Sequence, residues 1–347
     1  MRRTAFLAVL LGAWAVLGCS SSWVLQTESP SAGLQWPAPP DKARIRHVET
    51  VRGFKETGAS LANVLKYFVF GKQAGNNILM PVDVTTGGDG RIAVADRGCK
   101  CVHLYVPGER RYVQVFKAGP GELESPVGVA FDEELRLYVA DAARRSIVVF
   151  DRQGRYVSSI TEVDGSPLVR PTGLAFKRDT KTLYVVDTLA HKIHGITGEG
   201  KTLLSFGGRG TMNGQFNYPT HLDISPSGLL YVTDTLNFRV QTLDASGAFV
   251  AAFGHHGNGS GDFSMPKGVA AGADGVVYVV DSLFDNVQLF GRSGEFLLTL
   301  GNRGEDHGEF WLPSGIFLDD RERLYVCDTY NHRIQIFQVV RNQGDEK

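Results

Sequence analysis

"LYVTDTLNFRVQTL", residues 230–243, decides the fold. Its first five residues read as a short β-strand of aliphatic, aromatic and β-branched side chains ending on an aspartate. A tight turn follows, and "RVQTL" resumes as a second strand. The same phrase returns as "LYVAD" (137–141), "LYVVD" (183–187), "VYVVD" (277–281) and "LYVCD" (324–328), and more loosely as "IAVAD" (92–96). About fifteen residues before each aspartate stands a proline that opens another β-rich run. These runs are "PVDVTT" at Pro81, "PVGVAF" at Pro126, "PTGLAF" at Pro171, "PTHLDI" at Pro219, "PKGVAA" at Pro266 and "PSGIFL" at Pro313. A fourth strand such as "FVAAF" (249–253) or "FLLTL" (296–300) completes the unit.

Six copies of a four-stranded unit with Gly- and Asp-containing turns predict an all-β, six-bladed β-propeller, with blades starting near 79, 124, 169, 217, 264 and 311. One blade cannot bury both of its faces, so the six must stack around an axis and the ring must close. The last copy supplies three strands and stops near Phe337. "RIRHVETV" (44–51) alternates suitably to add the fourth from upstream. In "SLANVLKYFVF" (60–70), Leu61, Val64, Leu65 and Phe68 fall at helical spacing, which predicts a short N-terminal helix. The propeller is thus expected over 44–340, with 341–347 a disordered tail.

The chain's start reads as an export signal. Arg2 and Arg3 precede the apolar run "AFLAVLLGAWAVLG" (5–18), too short to span a bilayer. "VLGC" (16–19) resembles a bacterial lipobox, which makes Cys19 the expected lipidation site and residues 1–18 the removed signal. Residues 19–43, with "WPAPP" (36–40), read as an extended tether. The chain is near neutral, at −1, and becomes more acidic once Arg2 and Arg3 are cut away. That offers no electrostatic footprint for nucleic acid. The expected location is the cell envelope, membrane-anchored on the periplasmic side or at the outer membrane, as a monomer.

"YVCDTYNHRIQIF" (325–337) and "YVTDTLNFRVQTL" (231–243) resemble the NHL-repeat family, as do the lead-ins "GQFNYP" (214–219), "GDFSMP" (261–266) and "GEFWLP" (308–313). The whole arrangement, with its "WPAPPDKARIR" lead-in, is similar to exported bacterial six-bladed propellers. The resemblance implies a platform for binding protein or RNA, while some relatives are amidoglycolate lyases that hold a metal on several channel histidines. The family's Asn and Arg after the aspartate are complete only as Asn237 with Arg239 and Asn331 with Arg333. Blade 3 has Lys192 at the arginine position. The resemblance makes these five the expected partner-binding face, an incomplete basic collar for RNA.

"CKCVH" (99–103) is the segment most suggestive of chemistry. Aligned to the repeats, Cys99 takes the place of Asn237 and Asn331, and Cys101 that of Arg239 and Arg333. His103 stands where Gln241, Gln288 and Gln335 stand elsewhere. Haem attachment needs C-x-x-C-H and is excluded by spacing. Three readings stay open: unremarkable thiols, a metal site on Cys99, Cys101 and His103, or a disulfide from Cys327 to Cys99 or Cys101 across the seam between blades 6 and 1.

The second residue after each repeat proline is glycine in four blades (Gly128, Gly173, Gly268, Gly315), but Asp83 in blade 1 and His221 in blade 4. Those blades face each other across the channel. Asp223 lies two residues beyond His221 on the same strand face. A carboxylate beside an imidazole raises its basicity, so Asp83, His221 and Asp223 are the catalytic or ligand-binding candidates. Lys267 and Ser314 are candidates for the rim. "HH" (255–256) and "GGRGTMNG" (207–214) read as loop and turn. Two classes of function follow: a non-catalytic, anchored scaffold for a protein or peptide partner, with no cofactor, or a channel enzyme of the metal-dependent lyase or lactone-hydrolase type using a divalent metal. An accessory role for exported redox proteins is a third.

Overall fold

A computed structural model describes residues 22–31, 33–57 and 76–341. The expected signal over 1–18, Cys19, the expected helix within 60–70 and residues 342–347 lie outside the described residues. Among the described residues the chain is all β, and its helical elements are three short 3-10 turns, Pro107–Glu109, Thr235–Asn237 and Thr329–Asn331.

Six antiparallel sheets follow in order, each beginning with the strand nearest the axis. Blade 1 runs Pro81–Thr86, Ile92–Asp96, Cys101–Val106 and Arg111–Val115. Blade 4 runs Pro219–Ile224, Leu230–Asp234, Arg239–Leu243 and Phe249–Phe253. Second strands such as Leu137–Asp141 and Leu230–Asp234 are buried at every residue. Neighbouring blades cover both of their faces, which is why they read as unbroken apolar runs. The outermost strand has a neighbour on one side, and its burial alternates, as over Thr202–Gly207 and Phe249–Phe253. The lead-ins to blades 4, 5 and 6 insert Phe216, Phe263 and Phe310, all fully buried, as anchors between blades.

Each blade is tied together by the aspartate ending its second strand. Asp96 accepts the N–H groups of Leu79 (2.6 Å) and Met80 (2.9 Å). Asp187 accepts those of Val169 and Arg170, both at 2.8 Å, and Asp328 that of Trp311 at 2.8 Å. The six aspartates are all essentially buried. Such a carboxylate is tolerable in a core only because several donors surround it.

In blade 6 the strands Ile316–Leu318, Arg323–Asp328 and Arg333–Val339 pair in order, and Ile45–Thr57 pairs with Arg333–Val339. Across the seam, the Thr329 hydroxyl donates to the Pro81 carbonyl (2.8 Å) and that of Ser314 to Val82 (3.0 Å). The expected tether is corrected in part. Ser22–Glu28 is a further strand on this sheet, paired with Ile45–Thr57, and Gln35–Trp36 pairs with it too. The reason is apolar content. Trp23 packs on Tyr112 of blade 1 (ring centroids 4.9 Å), and Trp36 on Phe337 (5.8 Å).

In blades 4 and 6 the residues of the expected partner-binding face are engaged by the blade aspartate. Arg333, 1% exposed, donates to Asp328 at 2.6 Å, and Asn331 reaches the same carboxylate at 2.9 Å. Arg239 and Asn237 repeat this on Asp234, each at 2.8 Å. These side chains hydrogen-bond their own blade's buried aspartate, Arg333 within the core and Asn237 and Arg239 from partly exposed positions. Lys192 is exposed. Removing one member of a buried ion pair strands the other. Arg333→Ala is therefore expected to cost about 3–5 kcal/mol in chemical denaturation, whereas Lys192→Ala stays within about 0.5 kcal/mol.

Candidate functional site: the axial channel and its two mouths

The innermost strands approach one another so closely that most blades cannot carry a side chain there. A Cβ on Gly128 would stand 1.9 Å from the Thr172 carbonyl oxygen, and one on Gly173 would stand 2.7 Å from the His221 Cα. On Gly268 it would lie 2.5 Å from the Ser314 oxygen, and on Gly315 it would lie 2.6 Å from the Asp83 Cα. The glycine rule of the repeat is thus a packing rule. Asp83 and His221 are its two exceptions, and both line a cavity of about 560 Å³ along the axis, with Asp223.

The two carboxylates hold neighbouring blades. Asp83 accepts the Val129 N–H of blade 2 at 2.9 Å, and Asp223 the Ala271 N–H of blade 5 at 2.8 Å. Burial pushes Asp83 up to about 7, with the negative charge of Asp223 adding to the shift against the backbone hydrogen bonds. Burial likewise carries Asp223 up to about 6. His221 moves the other way, down to about 3, through burial and then the nearby Lys267. Neither of its ring nitrogens has a hydrogen-bond partner among the described residues. The expectation that Asp223 would orient His221 and raise its basicity is therefore corrected: that carboxylate is engaged by a backbone N–H of the next blade, and the imidazole stays neutral. A neutral imidazole of such low basicity is a poor general base near neutral pH.

His221 stands at the waist of the channel. On its other side a second cavity, of about 320 Å³, opens between Arg97, Arg170 and Lys267, with threonines beneath. None of the three cations forms an ion pair among the described residues. Burial, then the charges of Arg97 and Arg170, pulls the Lys267 ammonium down. Lys267 was legible from its repeat position, and so was Ser314, which also lines this mouth. Arg97 and Arg170 were missed, since each lies in a loop flanking a strand. The opposite mouth carries Asp179, Asp319 and Asp320, largely neutralised by Lys177 at 2.5 Å, Arg323 at 2.8 Å and Arg178 at 3.3 Å.

A second feature of the cationic face was missed although its signal is periodic. The second residue after the blade aspartate is Leu189, Leu236, Leu283 and Tyr330 in four consecutive blades. They are exposed by 42%, 45%, 54% and 44%. Blades 1 and 2 place Gly98 and Ala143 there. Leu189 and Leu236 line the same mouth as Arg97 and Lys267, so an apolar crescent borders a cationic pit.

The cysteines differ from expectation. Cys99 and Cys101 form a disulfide with each other, and Cys327 is a free thiol. The seam disulfide is corrected because Cys327 points into the core between blades 6 and 1, packed with Val84 and Val94. Burial there raises its thiol well above the usual range. The candidate ligand atoms of Cys99, Cys101 and His103 lie within 4.8 Å of one another, but sulfurs joined in a disulfide are not thiolate ligands. His255 and His256 are loop residues, His255 facing Asp262 at 2.7 Å.

Residues 310–337 are an NHL repeat. The search of curated proteins gives no match. Among solved structures, the chain resembles a catalytically inactive virginiamycin B lyase from Staphylococcus aureus with quinupristin, at 14% identity over 76% of this chain and 96% of that one, TM-score 0.56. A gluconolactonase from Xanthomonas campestris aligns at 16% identity over 76% and 86%, TM-score 0.58. An auxiliary nutrient binding protein from Bacteroides thetaiotaomicron aligns at 12% over 76% and 70%, TM-score 0.60. At these identities the likeness is one of fold, a six-bladed propeller that carries lyases, a lactonase and a binding protein alike.

The channel acids make a pH prediction. Asp83 has a raised pKa when folded, so between about 4 and 7 the unfolded chain binds fewer protons than the folded one, and stability falls as pH rises. Asp83→Asn removes the buried charge while keeping an acceptor for Val129. Its melting temperature should exceed the parent's at pH 8 and match it near pH 4. Equal melting temperatures at both values would refute the shifted carboxyl.

Proposed function

We propose that the protein is an exported, lipid-anchored propeller, its ring closed by the upstream Ile45–Thr57 strand, that binds a protein or peptide partner without catalysing a reaction. The observation that carries this reading is the crescent of Leu189, Leu236, Leu283 and Tyr330. Four exposed apolar side chains at one repeat position around one mouth are more than scattered surface residues. Charge complementarity defines the occupant. The partner presents apolar side chains flanking a carboxylate, the former resting on the crescent and the latter entering the pit of Arg97, Arg170 and Lys267.

The lyase and lactonase neighbours support a second reading, a channel enzyme. The feature in its favour is the unpartnered His221 imidazole at the waist, available to a bound ligand. Against it stand the low basicity of that ring and the structural engagement of both carboxylates.

A photo-crosslinker at Leu283, in protein expressed in its native envelope, is expected to capture a partner that one at Asp320 on the opposite face does not. Leu236→Glu with Leu283→Glu should weaken binding of the purified partner at least about tenfold, and added salt should weaken parental binding. Equal capture from both faces would sink the docking reading. For the anchor, fatty-acid labelling is expected in the parent and absent in Cys19→Ser.

A further inference from the structure

We propose that the Cys99–Cys101 disulfide is a thiol–disulfide exchange site, an electron acceptor for cysteine thiols. The inference stands on blade 1 alone and does not require the docking reading.

The disulfide is not needed to shape its turn. All six blades make the same turn, with a positive φ four residues after the aspartate: Lys100 at 53°, Arg145 at 53°, His191 at 57°, Phe238 at 54°, Asp285 at 51° and His332 at 56°. Blades 2, 3 and 5 do so with neither a disulfide nor the Asn–Arg pair of blades 4 and 6. A bridge between residues two apart also closes a minimal loop, and so removes little entropy from the unfolded chain. A staple that staples nothing invites a chemical role.

The surroundings suit exchange. Cys99 is partly exposed and Cys101 is buried, so an incoming thiolate meets the Cys99 sulfur first. Arg97 and Lys100, both exposed, flank it with positive charge that favours thiolates. Behind the bridge the His103 Nε2 lies 3.8 Å from the Cys99 sulfur and 3.9 Å from that of Cys101. The Asp96 carboxylate, 3.2 Å from His103 Nε2, can only accept, so Nε2 carries a proton directed at it and the two sulfurs, while Nδ1 faces the Tyr112 hydroxyl at 2.8 Å. The Gln114 amide donates to the Cys101 sulfur at 3.3 Å. The buried sulfur is thus the one prepared to leave.

In the first step a substrate thiolate attacks the Cys99 sulfur, the Cys99–Cys101 bond breaks, and Cys101 departs as a thiolate held by the N–H groups of His103 and Gln114, then takes a proton from solvent. In the second step another substrate thiolate attacks the substrate sulfur of the mixed disulfide, releasing Cys99 as thiolate, which solvent protonates. Two substrate thiols become one disulfide, and two electrons and two protons pass to the protein.

The test uses the full chain, native, in glutathione buffers, with acid quench, alkylation and mass spectrometry of the peptide spanning 99–103. The disulfide should equilibrate with reduced glutathione without unfolding. Cys101→Ala should accumulate a glutathione adduct at Cys99 when given oxidised glutathione, while Cys99→Ala should leave Cys101 unmodified. His103→Gln keeps a donor for Asp96, as Gln241 does for Asp234 at 3.0 Å, but takes the imidazole N–H away from the two sulfurs. Losing that hydrogen bond to the leaving thiolate should slow reduction on the order of tenfold at an unchanged melting temperature. A bridge that resists glutathione until denaturant is added would overturn the proposal. So would a reduced protein that takes up one equivalent of zinc and no longer reoxidises with oxidised glutathione, which would make the cluster a metal centre.

Discussion

Everything in this propeller depends on burying a carboxylate at the end of the second strand of each blade. Asp96, Asp141, Asp187, Asp234, Asp281 and Asp328 each accept N–H groups from the loop that leads into their own innermost strand. An ionised group in such a place is costly unless fully surrounded by donors, so the aspartate fixes the loop, and the loop fixes where the inner strand begins. Blades 4 and 6 add Asn, Arg and Gln donors to the same oxygens. Blade 1 uses His103 in that role, and the same hydrogen bond sets the ring against the disulfide.

The second constraint is crowding at the axis. Where the inner strands pass closest, a Cβ collides with the next blade's backbone, and glycine is the residue that fits. Asp83 and His221 break the rule on opposite blades, and they define a waist whose groups are all driven toward neutrality by burial. The carboxylates rise and the imidazole falls. A neutral waist then separates an acidic mouth with matched cations from a basic mouth without matched acids. The molecule is therefore polarised along its axis although its net charge is close to zero.

Polarisation and the apolar crescent coincide on one face because both arise from the same turn. The residue one past the blade aspartate is buried as Thr188, Thr235, Ser282 or Thr329, and the residue two past it stands out to solvent. In blade 1 that turn carries Arg97 and leads directly into the disulfide. Recognition and redox chemistry would thus share one surface while drawing on different atoms.

The all-β class and the six-fold repeat were legible in residues 81–337, because strand period and turn chemistry are local properties that recur with each copy. Pro81 and Asp328 could be placed in their blades by counting. The orientation of Arg333 could not: Asp328 lies only five residues before it, but the Glu305 and Glu309 carbonyls it also reaches lie 28 and 24 residues away, and only packing brings them to it. Ser22–Glu28 read as a tether because a strand added to the outside of a sheet has no repeat to announce it. The cysteines show the boundary most clearly. Sequence alone determined that Cys99 and Cys101 occupy a blade turn two residues apart. Only the tertiary structure decided that they bond to each other while Cys327 does not, because a disulfide depends on side-chain direction, and that direction is set by what fills the space between neighbouring blades.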